Sequence, residues 1–202
     1  MSEQITHSTA ECEAVARLPP RARILATARE LFYRHGIRAV GVEAVAEAAG
    51  TNKMTLYRHF PSKDELVAEC MRQFASEVDA GWDCLAAAHP GDPRGQLSAW
   101  LAAAGAHLSD PADRGCALIN AAVELPEKHH PARCVIEQMK TAQRERLTGL
   151  CREAGASEPE RLADELILLI EGARVCCQSF GPGGPSAHAV RIGEDLIKAS
   201  LG

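Results

Sequence analysis

Two short segments in which apolar residues have helical spacing, separated by a turn around Gly50, constrain the possible fold of this chain more than any other feature. Apolar residues recur at helical spacing on the predicted inner face of the first segment: Val42, Val45, Ala46 and Ala49. Gly50 ends that helix, and Asn52 is a favourable N-cap for a second short helix, Lys53 to about His59. The inward residues of the second helix are Leu56 and Phe60. Two short helices joined by a turn of about four residues that contains glycine form a helix-turn-helix.

Another helix precedes this motif. It begins near Arg21, carries one apolar stripe and stops at Gly36. The first 18 residues of the chain are mostly polar, without a regular apolar pattern, and are followed by two prolines. This composition predicts a mobile arm. We therefore divide the chain into an arm (1–20), a helix-turn-helix domain (21–66) and a second helical domain (67–202).

The rest of the chain also shows apolar residues at helical spacing, and no segment has the alternating apolar and polar residues of a strand. Ser62 and Glu65 form a capping box for a longer helix from Lys63 to about Trp82. The segment Leu162–Cys177 is apolar on more than one face, so it needs cover from two directions. We predict an all-α fold: a three-helix N-terminal domain followed by a helical bundle that forms a homodimer through its last two helices.

Charge is distributed unevenly along the 202 residues. The chain has a net charge of −5, but the segment from Arg17 to Lys63 contains nine Lys or Arg and three Asp or Glu. A basic segment in an acidic protein favours contact with a polyanion, although charge alone fits an ordinary solvated face equally well. No apolar run reaches the roughly 18–20 residues of a membrane span, and no secretory signal is recognisable. We therefore expect a cytoplasmic protein that is not bound to a membrane.

The run from Arg23 to Met71 combines the first helix stripe, the turn V-A-E-A-A-G and the segment T-L-Y-R-H-F-P-S-K, in that order. With these elements the sequence resembles the TetR family of bacterial transcriptional regulators. The resemblance implies an all-helical dimer whose N-terminal helix-turn-helix binds DNA. It also implies a divergent C-terminal bundle that binds a small ligand and thereby releases the operator.

The second helix of the motif is then the recognition helix, whose leading residues meet base edges in the major groove. Lys53 can donate to guanine acceptors, and Met54 can pack on a thymine methyl. The resemblance implies backbone contacts by Thr55, Tyr57 and His59 and a phosphate contact by Lys63. The predicted DNA-binding residues are Thr51, Asn52, Lys53, Met54, Thr55, Tyr57, Arg58, His59 and Lys63.

The chain departs from the family pattern at two places. Val40-Gly41 replaces the usual Thr or Ser before the motif's first helix, which removes a hydroxyl cap, and Met54 stands where many members have Gly. For this reason the operator sequence does not follow from the resemblance. Arg21 and Arg23 are weaker candidates for additional phosphate contacts.

The run Arg114–Glu124 resembles a segment of one large TetR subgroup, where it forms a buried helix beside the ligand pocket. Residues Cys116 to Val123 are apolar nearly all round, so we predict a buried helix in which Asn120 needs a partner. That partner is either neighbouring backbone or a bound ligand. By family analogy, the candidate ligand-binding residues are Trp100, His107, Cys116, Asn120, Glu124, Met139, Arg174 and Gln178.

Two other kinds of protein fit parts of the sequence. A thiol- or metal-responsive DNA-binding sensor is the main alternative, because the chain has eight cysteines and places His129, His130 and Cys134 close together. No fourth ligand follows at zinc-like spacing, so we predict free thiols, no metal and no cofactor. The minor alternative is a helical-bundle enzyme with a Cys-His-acid set from Cys116, His107 and Glu124. The chain lacks a phosphate-binding loop, a nucleophile elbow and an HExxH motif, so we predict that it is not an enzyme.

These observations predict a dimeric, ligand-responsive regulator that represses transcription from a palindromic operator. Its two recognition helices would lie about one DNA turn apart, roughly 34–36 Å, or a multiple of that distance. An unidentified small molecule would release the DNA by favouring a conformer with wrongly spaced helices. An activating role on the same fold is a minor variant.

Overall fold

The structure, a computed structural model, describes residue 15, residues 17–108 and residues 113–202. The predicted arm therefore lies largely outside the described residues. In the described part the chain forms nine α-helices and no strand, which confirms the all-α prediction. The helices are α1 (Pro20–His35), α2 (Val42–Ala48), α3 (Lys53–His59), α4 (Lys63–Ala88), α5 (Pro93–Leu108), α6 (Ala117–Glu124), α7 (Pro131–Glu153), α8 (Pro159–Phe180) and α9 (Ala189–Leu201). A 3₁₀ turn, Pro185–His188, precedes α9.

The chain divides into two compact units. The first contains the described residues up to Gln73 together with 120–135, and the second contains 74–119 and 136–202. The division falls within α4, α6 and α7, so these helices contribute to both units. The functional boundary after residue 66 stays a prediction.

The first unit has a core made by one face of each of its short helices. Buried side chains come from α1, α2 and α3 and from the residue that follows α3: Ile24, Leu25, Ala28, Phe32, Val45, Ala46, Leu56 and Phe60. Gly36, at φ +85°, ends α1 in the left-handed region, where glycine is favoured over other residues. The predicted inner faces of the helix-turn-helix are thus confirmed.

Helix α4 is longer than predicted. Ser62 Oγ accepts a hydrogen bond from the backbone N–H of Glu65 at 3.1 Å, so the serine half of the capping box is present. The helix continues past Trp82 to Ala88, because the residues after Cys84 are leucine and alanine, which favour helix. It stops before His89-Pro90.

The second unit is organised around a cluster of buried leucines, isoleucines and alanines on α5, α7, α8 and α9. Helices α5 and α9 approach closely at two glycines. A Cβ at Gly193 would lie 2.7 and 2.8 Å from the two methyl carbons of Leu101, and a Cβ at Gly105 would overlap Val190. None of the helices in the described part of the chain combines the length and apolarity that crossing a bilayer requires.

Candidate DNA-binding surface

The turn between α2 and α3 sets the direction of the recognition helix. Gly50 has φ +60°, and the N–H of Thr51 donates to Ala46 O at 2.9 Å, which closes the end of α2. Asn52 follows with extended backbone (φ −125°, ψ 163°), and its Oδ1 accepts the N–H of Thr55 at 2.9 Å. The predicted N-cap is confirmed. It fixes the leading end of α3 toward solvent.

Helix α3 is anchored by one side and exposed on the other. Leu56 is completely buried, and Phe60, which follows the helix, is almost so. Met54 is 85% exposed, although methionine is among the residues most often buried in folded proteins. The remaining predicted contact residues divide into exposed ones (Asn52, Lys53, Tyr57 and Arg58) and half-buried ones (Thr51, Thr55, His59 and Lys63).

Lys53 has neighbours that its sequence context does not indicate. Its Nζ lies 2.5 Å from Oε1 of Glu43, on the first turn of α2, and 5.9 Å from the centre of the Tyr57 ring. The hydrogen bond to Glu43 raises the pKa of Lys53, and the same bond lowers the pKa of Glu43. Both side chains are therefore charged at neutral pH. Glu43 thus belongs to the candidate surface.

Lys63 is less accessible than a phosphate-binding lysine would be expected to be. Its Nζ lies 5.9 Å from the centre of the Phe32 ring, a cation–π distance. Burial lowers the pKa of Lys63, while the charges of Asp64 and Glu124 act in the opposite direction. A phosphate contact by Lys63 stays a prediction and would require the side chain to turn away from Phe32.

Arg21 and Arg23, the weaker candidates for phosphate contacts, are engaged within the first unit. Arg21 forms an ion pair with Glu69 at 2.9 Å and lies 5.1 Å from the centre of the Phe60 ring. Arg23 Nε donates to Ala49 O at 2.7 Å, where it satisfies a carbonyl at the end of α2. Arg23 therefore supports the end of α2, and a phosphate contact by either arginine stays a prediction.

The predicted ligand-binding residues do not fall in one unit. Asn120 and Glu124 belong to the first unit; the others, Trp100, His107, Cys116, Met139, Arg174 and Gln178, belong to the second. Within the second unit Trp100 stacks on Trp82, with ring centres 6.1 Å apart, and Met139 is buried. His107 and Gln178 are exposed and both lie against Asp113. A common ligand site for these residues stays a prediction.

The prediction that Asn120 lies within a buried helix is wrong. Asn120 is exposed, and so is Val123 on the same helix. Only Leu118 and Ala121 of α6 are fully buried, because the described residues leave the opposite side of this apolar helix exposed. The side-chain amide of Asn120 therefore does not pay the desolvation cost on which that prediction was based.

Glu124 has a structural role that the sequence did not indicate. Its carboxylate accepts the backbone N–H of Arg38 at 3.0 Å and lies beside Gly36, where a Cβ would come within 3.1 Å of Oε2. Glu124 thus holds the loop that connects α1 to α2. Nothing in the sequence near Glu124 signals this contact, since the two partners are 86 residues apart.

The residues behind the sensor alternative show no assembled site. No group of three or more His, Cys, Asp or Glu that could hold a metal ion occurs in residues 17–108 and 113–202. His130 Nδ1 accepts the N–H of Ala132, and its Nε2 lies 3.4 Å from Asp64. Burial raises the pKa of Cys70 to about 12 and that of Cys151 to about 11, which leaves little reactive thiolate at neutral pH.

Two family models match this chain one after the other. The model of bacterial regulatory proteins of the TetR family matches residues 24–70, and the model of the tetracyclin repressor-like C-terminal domain matches residues 93–192. The curated HTH-type transcriptional repressor KstR2 of Rhodococcus jostii is 40% identical over 58 residues. That match covers 29% of this chain and only 28% of the length of KstR2.

Solved structures cover much more of the chain. A TetR-family transcriptional regulator from Streptomyces coelicolor has a TM-score of 0.85 and 27% identity, over 91% of this chain and 96% of the other. A structure described as a TetR transcriptional regulator from Streptomyces avermitilis has a TM-score of 0.79 and 30% identity, over 91% and 98%. With both parts of its sequence matched and most of its length similar in structure, this chain belongs to the TetR family of bacterial transcriptional regulators.

Proposed function

We propose that this regulator is a repressor that binds a palindromic operator as a homodimer. The observation that carries the proposal is α3, which is capped by Asn52, anchored by Leu56 and presents Lys53, Met54 and an exposed arginine outward. In a helix-turn-helix such a helix enters the major groove with its leading residues on base edges. Direct contacts by Thr51, Thr55, Tyr57, Arg58, His59 and Lys63 belong to the same proposal.

The last two long helices support dimerisation. Leu168 and Val175 lie seven residues apart on one face of α8, and they are 73% and 63% exposed. Gly172, between them, has open space around its Cβ position, and Ile192 on α9 is also exposed. Exposed apolar side chains along one helix face are typical of an interface. A second copy of the same chain would cover this face through a two-fold axis, which matches the symmetry of a palindrome.

A small-molecule effector would act by shifting the population of two conformers of the dimer. A ligand can release DNA only if it binds more tightly to the conformer whose recognition helices are wrongly spaced. The second unit, which includes Trp100, Met139 and Arg174, is where we propose that this ligand binds. Because it acts on DNA, the protein is proposed to work in the cytoplasm.

Selection from a pool of random-sequence duplexes tests the proposal. The full chain should enrich a palindrome, and its affinity should fall steeply with salt because lysines and arginines replace counterions on the phosphates. Arg58→Ala should weaken binding and lower the salt slope by about 1 for each phosphate that the side chain no longer neutralises. Arg152→Ala, which replaces an exposed arginine on α7, is the matched control and should change neither quantity.

Repression is tested by placing the enriched palindrome over the promoter of a reporter gene. The wild-type chain should lower reporter output, and Arg58→Ala should restore it. A folded dimer that binds neither the pool nor a single duplex at low salt would contradict the proposal. An increase in reporter output on binding would identify an activator instead.

A further inference from the structure

The ion pair between Glu43 and Lys53 lies at the leading ends of both helices of the motif. Glu43 is the second residue of α2, and Lys53 is the first residue of α3. The two side chains are 66% and 53% exposed, and their charged atoms are 2.5 Å apart. A base edge that Lys53 contacts in this geometry therefore also faces the carboxylate of Glu43.

Folding gains little from the ion pair itself, although the first turn of α2 is a place where the helix dipole favours an acidic side chain. Exposed ion pairs add little to the free energy of unfolding, because water screens the attraction and two long side chains lose freedom. The carboxylate also opposes general attraction to DNA, since it neutralises Lys53 and repels phosphates. On DNA, this carboxylate is favourable where it meets a hydrogen-bond donor, and the donors on DNA are the amino groups of the bases.

Base pairs differ in where they present those donors. In the major groove, guanine offers the acceptors N7 and O6, and the N4 amino group of its partner cytosine lies next to O6. A neighbouring ammonium and carboxylate complement this acceptor–donor arrangement. With the base pair reversed, the carboxylate would face guanine acceptors and the lysine would face the cytosine amino group, so both contacts would be repulsive.

We propose that Lys53 and Glu43 read one G·C base pair in each half-site as a unit, Lys53 donating to guanine and Glu43 accepting from the paired cytosine. Glu43 is then a specificity-determining residue that fixes the orientation of this base pair. A thymine–adenine pair offers one matching acceptor and donor but lacks the second acceptor of guanine, so it ranks below G·C. Tyr57 supports the arrangement, since its ring lies against the lysine amine.

This inference rests on the proposed function, and selection from a random-sequence duplex pool tests both. The wild-type full chain should enrich one position per half-site as G·C, with a preference over C·G of roughly 5- to 150-fold. In Glu43→Ala the lysine can also reach a guanine on the opposite strand. We therefore expect the preference for G·C over C·G at that position to fall at least about fivefold, the value of one good contact.

Two further variants sharpen the test. Glu47→Ala removes an exposed carboxylate one turn along α2 and should leave the selected sequence unchanged. The exchange Glu43→Lys with Lys53→Glu keeps the pair but reverses it, so it should select C·G at the same position. Thermal unfolding of each variant, measured in parallel, separates a loss of specificity from a loss of structure.

The outcomes are distinct. If the wild type enriches no sequence, the DNA-binding function itself is wrong. If the wild type enriches a palindrome and Glu43→Ala enriches the same palindrome with the same preferences, the inference alone is wrong and the ion pair only joins two helices. Relaxed orientation in Glu43→Ala together with reversed orientation in the exchange variant establishes that the pair reads the base pair.

Discussion

Replacing Gly193 with alanine tests the close approach of α5 and α9 in the second unit. The added Cβ would lie 2.7 and 2.8 Å from the methyl carbons of Leu101 and 3.3 Å from its Cγ. Favourable contacts between carbon atoms occur at about 3.5–4.0 Å, so Leu101 must move. It has little room to do so, because it is buried in the main cluster with Leu166 and Ile197.

The size of the effect follows from two opposing contributions. Adding a methyl group to a filled core costs about 1–3 kcal/mol. Alanine in place of glycine inside a helix returns about 1 kcal/mol. We therefore expect Gly193→Ala to lower the free energy of unfolding by about 1 kcal/mol. Gly81, exposed on α4 with nothing within 4 Å of its Cβ position, is the matched control and should gain about 1 kcal/mol as alanine.

Urea unfolding, followed by circular dichroism at one fixed protein concentration, measures the difference between the two variants. The concentration is fixed because association would add to the apparent stability. In the background Leu101→Ala, which removes the obstructing methyl groups, Gly193→Ala should no longer destabilise. If Gly193→Ala stabilises the wild type as much as Gly81→Ala does, the close packing of α5 on α9 is refuted.

Three further predictions concern the cap, the thiols and the dimer. Asn52→Ala removes the hydrogen bond to Thr55 N–H at the start of α3 and should lower the free energy of unfolding by about 1 kcal/mol in urea denaturation followed by circular dichroism. Asn52→Ser should restore the stability, and equal stability of all three proteins would contradict the role of the cap. Burial raises the pKa of Cys70 to about 12, so at pH 8 iodoacetamide should modify it far more slowly than the exposed Cys84, and its rate should increase as the pH approaches 12. Peptide mass spectrometry measures both rates, and similar rates at pH 8 would show that Cys70 is accessible. Val175→Asp should convert the dimer to a monomer in sedimentation equilibrium with unchanged circular dichroism, whereas an unchanged dimer would place the interface elsewhere.

The sequence predicted the helix-turn-helix well because the signals that define it are local. Asn52 caps a backbone N–H only three residues away, and Gly50 supplies the positive φ of the turn. The spacing of Leu56 and Phe60 gives the buried side of α3 without knowledge of what covers it. Each of these features depends on a few consecutive residues, so a single sequence contains the necessary information.

Features that depend on distant residues were missed. Glu43 and Lys53 pair across the turn, and Glu124 contacts Arg38 over 86 residues. The prediction for the helix around Asn120 failed for a related reason. Apolar composition indicates that a helix packs against other residues, but it does not indicate which side of the helix is packed within the same chain. Val123, 79% exposed on that helix, marks the uncovered side.

In the first unit, the residues that pack the core are different from the exposed residues proposed to contact the operator. The packing of α2 and α3 depends on buried side chains such as Val45 and Leu56, whose loss would create a cavity. Lys53, Met54 and Glu43 are exposed and contribute little to that packing. Because changes at such exposed positions usually alter stability only slightly, the scaffold tolerates their exchange. We therefore predict that the base preference of this regulator resides in side chains that the fold itself does not need, and that it changes with them while the helix-turn-helix stays intact.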